Sequence, residues 1–179
     1  MDTIDRLRDE IARTGLLTAP QADDGFVFGT ARMRATGTDV NVNVDPEIDD
    51  RSDVDTRALL AAVERVLTIT DARWERIVDS VAEEIEEAVG DQSVSEATDL
   101  RDDLALRSVV VFHDAVLLSF AAPKQFPDSW IRVQLDEDLG VEGVAVDEKD
   151  DDEKDDDVEV VEFESLDGLL DHLSSADDR

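Results

Sequence analysis

The spacing of apolar residues changes period twice along this chain, and no other feature narrows its possible folds as much. In "TARMRATGTDVNVNV" (30–44) apolar residues alternate with polar ones on both sides of Gly37-Thr38. From about Thr56 to Val89 the repeat lengthens to 3.6. From Leu106 onward the period changes again to strand-like runs, with alternation in Ile131, Val133 and Leu135. Strands, then helices, then strands predict an α+β fold, an antiparallel sheet built from two hairpin regions with helices packed on one face. The first hairpin alone could not bury its apolar side. The whole chain, 1–179, is therefore expected to form a single domain.

Local signals fill in the plan. Ile4, Leu7 and Ile11 share one stripe of an N-terminal helix over about 2–15, with Gly15 suited to stop it. Residues 16–25 read as a loop. In the first hairpin, a two-residue Gly37-Thr38 loop of type II′ pairs Ala35 with Val40, Met33 with Val42 and Ala31 with Val44. That register puts six apolar residues on one face, and Thr30, Arg32, Arg34, Asn41 and Asn43 on the other; a slip of one residue would mix the two. Residues 45–55 form an acidic loop. One helix follows from Thr56, with Leu59, Leu60, Val63, Val66 and Leu67 inward. A second holds Trp74, Ile77, Val78, Val81, Ile85 and Val89 and closes at Gly90. Ser93 with Glu96 fits a capping box for a short helix. Two strands are expected around His113-Asp114, and "PKQFPDSW" (123–130) reads as a loop before the next hairpin.

The acidic run "DEKDDDEKDDD" (147–157) interrupts this pattern. Beyond it "VEVVEF" is strand-like. "SLDGLLDHLSS" carries Leu166, Leu169, Leu170 and Leu173 at helical spacing behind a Ser165 cap. Core patterning on both sides makes the run a disordered loop insertion, net −7, rather than a tail.

Charge sets the solvent. The chain has 48 acids and 17 bases, net −31, with 32 Asp, 16 Glu, 14 Arg and only 3 Lys. Such self-repulsion destabilises a compact state in dilute buffer; near 1 M salt the Debye length falls to about 3 Å and screens it. The composition resembles cytoplasmic proteins of salt-in haloarchaea. Acidic clusters therefore read first as halophilic surface with non-specific cations around it. No cysteine is present, so disulfides and thiolate metal sites are excluded. The N-terminus "MDTIDRLRDE" lacks an apolar h-region. "AVLLSFAA" (115–122) is too short to span a membrane. No basic stripe is available for phosphates, so direct nucleic-acid binding is not expected. A cytoplasmic location follows as the expectation.

The hairpin "TARMRATGTDVNVNV", the helix with Trp74 and the segment "LRSVVVFHDAVLLSFAAPKQFPDSWIRVQLDEDLGVEGVAV" together resemble small uncharacterised α+β families of bacteria and archaea, some found near toxin–immunity loci. The likeness covers about residues 25–146 in order of elements. The chain has "HDA" and "PDSW" where those families usually show a turn Gly and a Gly-His. The resemblance implies no catalytic motif and no cofactor.

Residues with chemical potential are few. His113 and His172 have no nucleophile elbow near them in sequence, and no P-loop or G-x-G-x-x-G follows a strand. Asp79, Glu83 and Glu87 lie on the solvated side of their helix, without the histidines of a carboxylate-bridged metal pair. Counted against the calcium-loop template, Asp151, Glu153, Asp155, Asp157, Glu159 and Glu162 fall at ligand positions, but Asp156 stands where the sharp turn wants Gly. Arg32, Arg34, Asn41 and Asn43 form a donor-rich hairpin face suited to a carboxylate, phosphate or backbone. Lys124, Phe126 and Trp130 offer an aromatic anchor for a partner. The leading expectation is a non-catalytic cytoplasmic protein-binding domain adapted to high salt, interaction, regulatory or immunity-like in role, with a protein partner. The alternatives are a small-molecule or anion-binding domain using the Arg/Asn face, and an enzyme of unrecognised type.

Overall fold

The computed structural model describes residues 3–51, 53–90 and 98–149. Helix α1 (Thr3–Thr14) buries Ile4, Leu7 and Ile11 and ends at Gly15, whose φ of 70° suits glycine. Three strands follow: β1 (Thr18–Asp23), β2 (Phe26–Arg32) and β3 (Asp39–Val44). Helix α2 (Thr56–Leu67) is capped by Asp55, whose side chain accepts the Ala58 N–H. Helix α3 (Asp71–Val89) is capped by Thr70 and closed by Gly90. The short α4 (Leu100–Asp103) leads into β4 (Ala105–Val111), β5 (Ala115–Ala122), β6 (Phe126–Asp136) and β7 (Val141–Glu148).

The seven strands form one sheet in the order of the sequence. Every neighbouring pair is antiparallel except β3 and β4. The fold is α+β, but the sheet is larger than two hairpins and not wholly antiparallel. The chain leaves β3 at one end and crosses back through α2, α3 and α4 before β4, and such a crossover yields a parallel pair.

Strand β1 falls where the sequence predicted a loop. Its Ala19-Pro20 step interrupts the register and Ala19 has φ 47°. Proline is tolerated at this edge position because no ladder needs its missing N–H, and the irregularity erases the alternation that would have marked a strand. Gly29 of β2 is required by this bulge, since a Cβ there would meet the Thr18 carbonyl oxygen at 3.0 Å.

The β2–β3 register also differs from the expected one. Ala31 pairs with Val40 and Val27 with Val44, so the strands slide by four residues and Gly37-Thr38 is not a two-residue turn. The connection spans 33–38, closed by Met33 N–H to Thr38 O at 2.9 Å and Gly37 N–H to Met33 O at 2.9 Å. The longer loop lets Met33 bury fully and lets the Arg34 N–H reach the Leu67 carbonyl, one of the orphaned acceptors of α2. An even slide keeps each residue on its face, so the apolar side survives.

One continuous core joins Leu7 and Ile11 of α1, Val63 of α2 and Val81 of α3 to alternate strand residues such as Val42, Leu118 and Val133. Trp74 stacks on Phe120 within it, ring centroids 5.7 Å apart. Strand β6 begins at Phe126, so "PKQFPDSW" is largely strand, with a register shift at Ala121/Ala122. Strand β7 includes Asp147 and Glu148, so the acidic run starts in the sheet, not in a loop. The rest of that run, the calcium-template positions, the Ser93/Glu96 cap, the "VEVVEF" strand, the Ser165-capped helix and His172 lie outside the described residues.

Candidate functional site

All eight residues of β5 are buried. A strand covered on one side alternates buried with exposed, whereas one covered on both sides does not. Six buried apolar residues, Phe26, Val110, Phe112, Ala115, Leu117 and Ala121, fall outside the continuous core. Four of them alternate along β4 and β5 with core residues: Val110 and Leu117 face each other, between the core pairs that Val109 and Val111 make with Leu118 and Val116. Cross-strand register then builds a second face row by row. One row runs Phe28, Asn43, Val110, Leu117, Gln134; the next runs Thr30, Asn41, Ser108, Ser119, Arg132, Ala145.

This face is apolar at its centre and polar beside it. Leu117 is 1% exposed, Ser108 1% and Asn43 4%. Asn43 Nδ2 and Ser108 Oγ have no hydrogen-bond partner. Leaving such a group buried and unpaired costs about 1–3 kcal/mol. Arg132 is held by Asp147, with Nε to Oδ2 at 3.2 Å, and its Nη1 donates to Ser119 Oγ at 3.3 Å. Lys149 Nζ lies 4.5 Å from the Trp130 ring centroid and donates to the Pro127 carbonyl at 3.0 Å.

A second polar cluster closes one end of the sheet. Residues 45–51, part of the predicted acidic loop, reach the β4–β5 turn. Glu47, with φ 54°, takes three donors on one carboxylate: His113 Nδ1 at 3.2 Å, the His113 N–H at 3.3 Å and Arg51 Nε at 3.1 Å. Arg51 also pairs with Asp114, which holds its guanidinium more firmly protonated than usual. The Asp55 N–H donates to His113 Nε2 at 3.3 Å. Both ring nitrogens are thus engaged by protein groups. The His113 and Glu47 side chains are 5% and 7% exposed. A small cavity beside them is lined by Arg65, Phe112, His113 and Leu139. The arrangement ties Glu47, Arg51 and Asp55 to the β4–β5 turn.

Burial raises the Asp45 carboxyl above the usual value of 3.8, against the opposing Glu47 N–H. A raised folded pKa means that ionised Asp45 works against folding, and that penalty fades as pH falls through the folded pKa toward 3.8.

The expected site residues do not converge. Arg32 is 70% exposed at the end of β2 and pairs with Asp39 at 3.6 Å. Arg34 lies in the connecting loop, exposed, with its N–H spent on Leu67. Asn41 and Asn43 share a face of β3, but Asn43 is buried. By register Thr30, Arg32, Asn41 and Asn43 of the predicted donor face fall on the second sheet face, while Arg34 lies in the connecting loop outside the strands. Phe126 and Trp130 also part company: Phe126 packs against the continuous core, while Trp130 pairs with Ala121 of the second face. Lys124 sits in the β5–β6 turn, its backbone N–H held by the buried Asp103 at 2.9 Å. Among the described residues no helix is long and apolar enough to cross a membrane.

The residues missed from sequence are Val110, Leu117, Ser108 and Arg132. The uninterrupted run "SVVVF…AVLLSFAA" carried the signal, because a strand wet on one side would show polar residues at alternate positions. The class defined so far, among the described residues, is a seven-stranded α+β sheet with a helix-side core and a second face buried at its centre. No family model, curated protein or solved structure matches the chain.

Proposed function

We infer that the protein is a non-catalytic protein-binding domain of a high-salt cytoplasm, interaction, regulatory or immunity-like in role. The described helices α1 to α4 all contribute to one core against the sheet, and the partner binds the other face. One observation carries this reading: a face centred on Val110 and Leu117, with Asn43 and Ser108 unpartnered beside it, that shares no buried residue with the helix-side core. Buried apolar side chains with unpaired polar groups beside them mark a face that a further layer covers, and a protein partner can supply that layer. The asparagine amide and serine hydroxyl supply hydrogen-bonding groups that a partner's main chain can satisfy. The engaged nitrogens of His113 and the scattered Arg/Asn set support this reading over the enzyme and anion-binding alternatives.

The test is affinity capture from the native cells in molar KCl, comparing the wild type with Ala145→Arg, which plants a long charge in the second-face row. A control, Arg76→Glu, changes the exposed side of α3. A specific partner is expected with wild type and control and lost with Ala145→Arg. Equal capture by all three, or no enrichment at all, would overturn the reading.

A further inference from the structure

We propose that His113 is a proton-sensitive latch between the end of the sheet and the start of α2: the neutral ring holds the Asp55 N–H, and the protonated ring lets it go. The geometry sets the two ring nitrogens apart. Nδ1 lies 3.2 Å from a Glu47 carboxylate oxygen, and Nε2 accepts the Asp55 N–H at 3.3 Å. A neutral imidazole carries one proton, so a ring whose Nε2 accepts bears it on Nδ1, toward Glu47. A second proton goes to Nε2, the nitrogen that still has a lone pair. The new Nε2–H then faces the Asp55 N–H, and two donors stand where a donor and an acceptor stood.

The two sides of the ring therefore respond differently. The Glu47 carboxylate accepts from Nδ1–H in both states. It stays in place because the His113 N–H and Arg51 Nε also donate to it, and because the Asp50 and Arg51 N–H groups close a turn on the Glu47 carbonyl. These contacts sustain Glu47 at φ 54°, a conformation that costs energy for a residue with a Cβ. The Asp55 N–H, by contrast, depends on the lone pair that the proton takes. Asp55 is the N-cap of α2: its side chain accepts the Ala58 N–H at 3.0 Å and its carbonyl accepts the Leu59 N–H at 3.1 Å. Loss of its main-chain anchor loosens that first turn.

The charged groups around the ring are committed elsewhere. Arg51 pairs with Glu47 and Asp114. Asp45 accepts the Glu47 N–H at 2.7 Å. Across the small cavity, Arg65 donates to the Glu137 carbonyl, and the Asp136 carboxylate accepts the Asp138 and Gly140 N–H groups. The His113 side chain is 5% exposed, so the protein rather than bulk water surrounds the added charge. The latch is independent of the partner reading, since it uses none of the residues in the second-face rows.

The test is a magnetic-resonance titration of the isotope-labelled full chain in molar KCl, from about pH 8 to about pH 5, the interval in which imidazoles change charge. At the upper end the ring nitrogens of His113 should show the Nδ1–H tautomer. As the ring takes its proton, the Asp55 amide should move upfield along the same curve. Its protection against exchange should fall roughly fivefold, the worth of one neutral hydrogen bond. The His113 amide, held on Glu47, should keep its protection. His113→Gln, whose carbonyl accepts without titrating, should give an Asp55 amide that does not follow pH. An Nε2–H tautomer at the upper end, or an Asp55 amide indifferent to the ring, would overturn the proposal in the wild-type chain alone, whether or not the variant folds. A ring that does not titrate, or global unfolding in place of a local release, would do the same. The same Asp55 response persisting in His113→Gln would assign it to the neighbouring carboxylates and remove His113 from it.

Discussion

Among the described acids, Glu47 stands well apart from a solvated surface residue. It receives the His113 ring, the His113 main chain and Arg51 while nearly buried. Glu47→Ala would strand two donors of His113 in a closed turn. A loss of about 1–3 kcal/mol is expected in denaturant unfolding in molar KCl, with Glu47→Gln losing less because its carbonyl still accepts. An unchanged midpoint for the alanine variant would show that the turn does not rely on this carboxylate. Sequence placed His113 in a turn, and it is there. It could not place Glu47, because residue type says nothing about which acid of "DPEIDD" folds inward. The reason is long-range: His113 arrives from another strand, and only the closed sheet brings the two together. Asn43 teaches the converse. Its alternation with valines made it look solvent-facing, yet it is buried beside Ser108 and Val110 at the centre of its face.

Secondary elements were the most legible level. The buried stripes of α1, α2 and α3, the turn at His113-Asp114 and the alternation in β6 appear as the periodicity predicts. Where an element departs from the expectation, a tertiary contact decides it. Met33 and the Leu67 carbonyl reset the β2–β3 register, and an edge position admits Pro20 into β1. The β5–β6 turn depends on another such contact. Asp103 of α4 is buried and accepts the main-chain N–H groups of Lys124 and Gln125, both at 2.9 Å. Asp103→Ala should therefore cost about 2 kcal/mol or more. Amide exchange should quicken first at Lys124 and Gln125, while that of α2 stays slow. Exchange rates at the turn equal to those of the wild type would show that the carboxylate is not what holds it.

At the scale of the whole molecule, charge and layering matter most. A net charge of −31 on 179 residues makes dilute solution hostile to the folded state. Lowering KCl from molar to about 0.1 M lengthens the Debye screening distance from about 3 to about 10 Å. Cooperative loss of native circular dichroism is expected over that range. Native spectra retained at about 0.1 M KCl would show that packing alone outweighs the repulsion. Fold class was readable from two period changes, and the strand count was not, because β1 hides in an irregular edge. The second face was readable in principle: seven apolar residues among the eight of β5 already demanded cover on both sides.

The parallel pairing of β3 with β4 has a kinetic consequence. Strands β1 to β3 form one block of nearest-neighbour hairpins, and β4 to β7 form another. Each block can close quickly, because short loops lose little entropy on closure. Among the described strands the two blocks pair where 41–44 join 108–111, across everything that lies between in the chain. Such non-local pairing is the slow step of a folding reaction. The helices α2 and α3, already local and amphipathic, shorten that search by condensing the intervening chain before the seam closes.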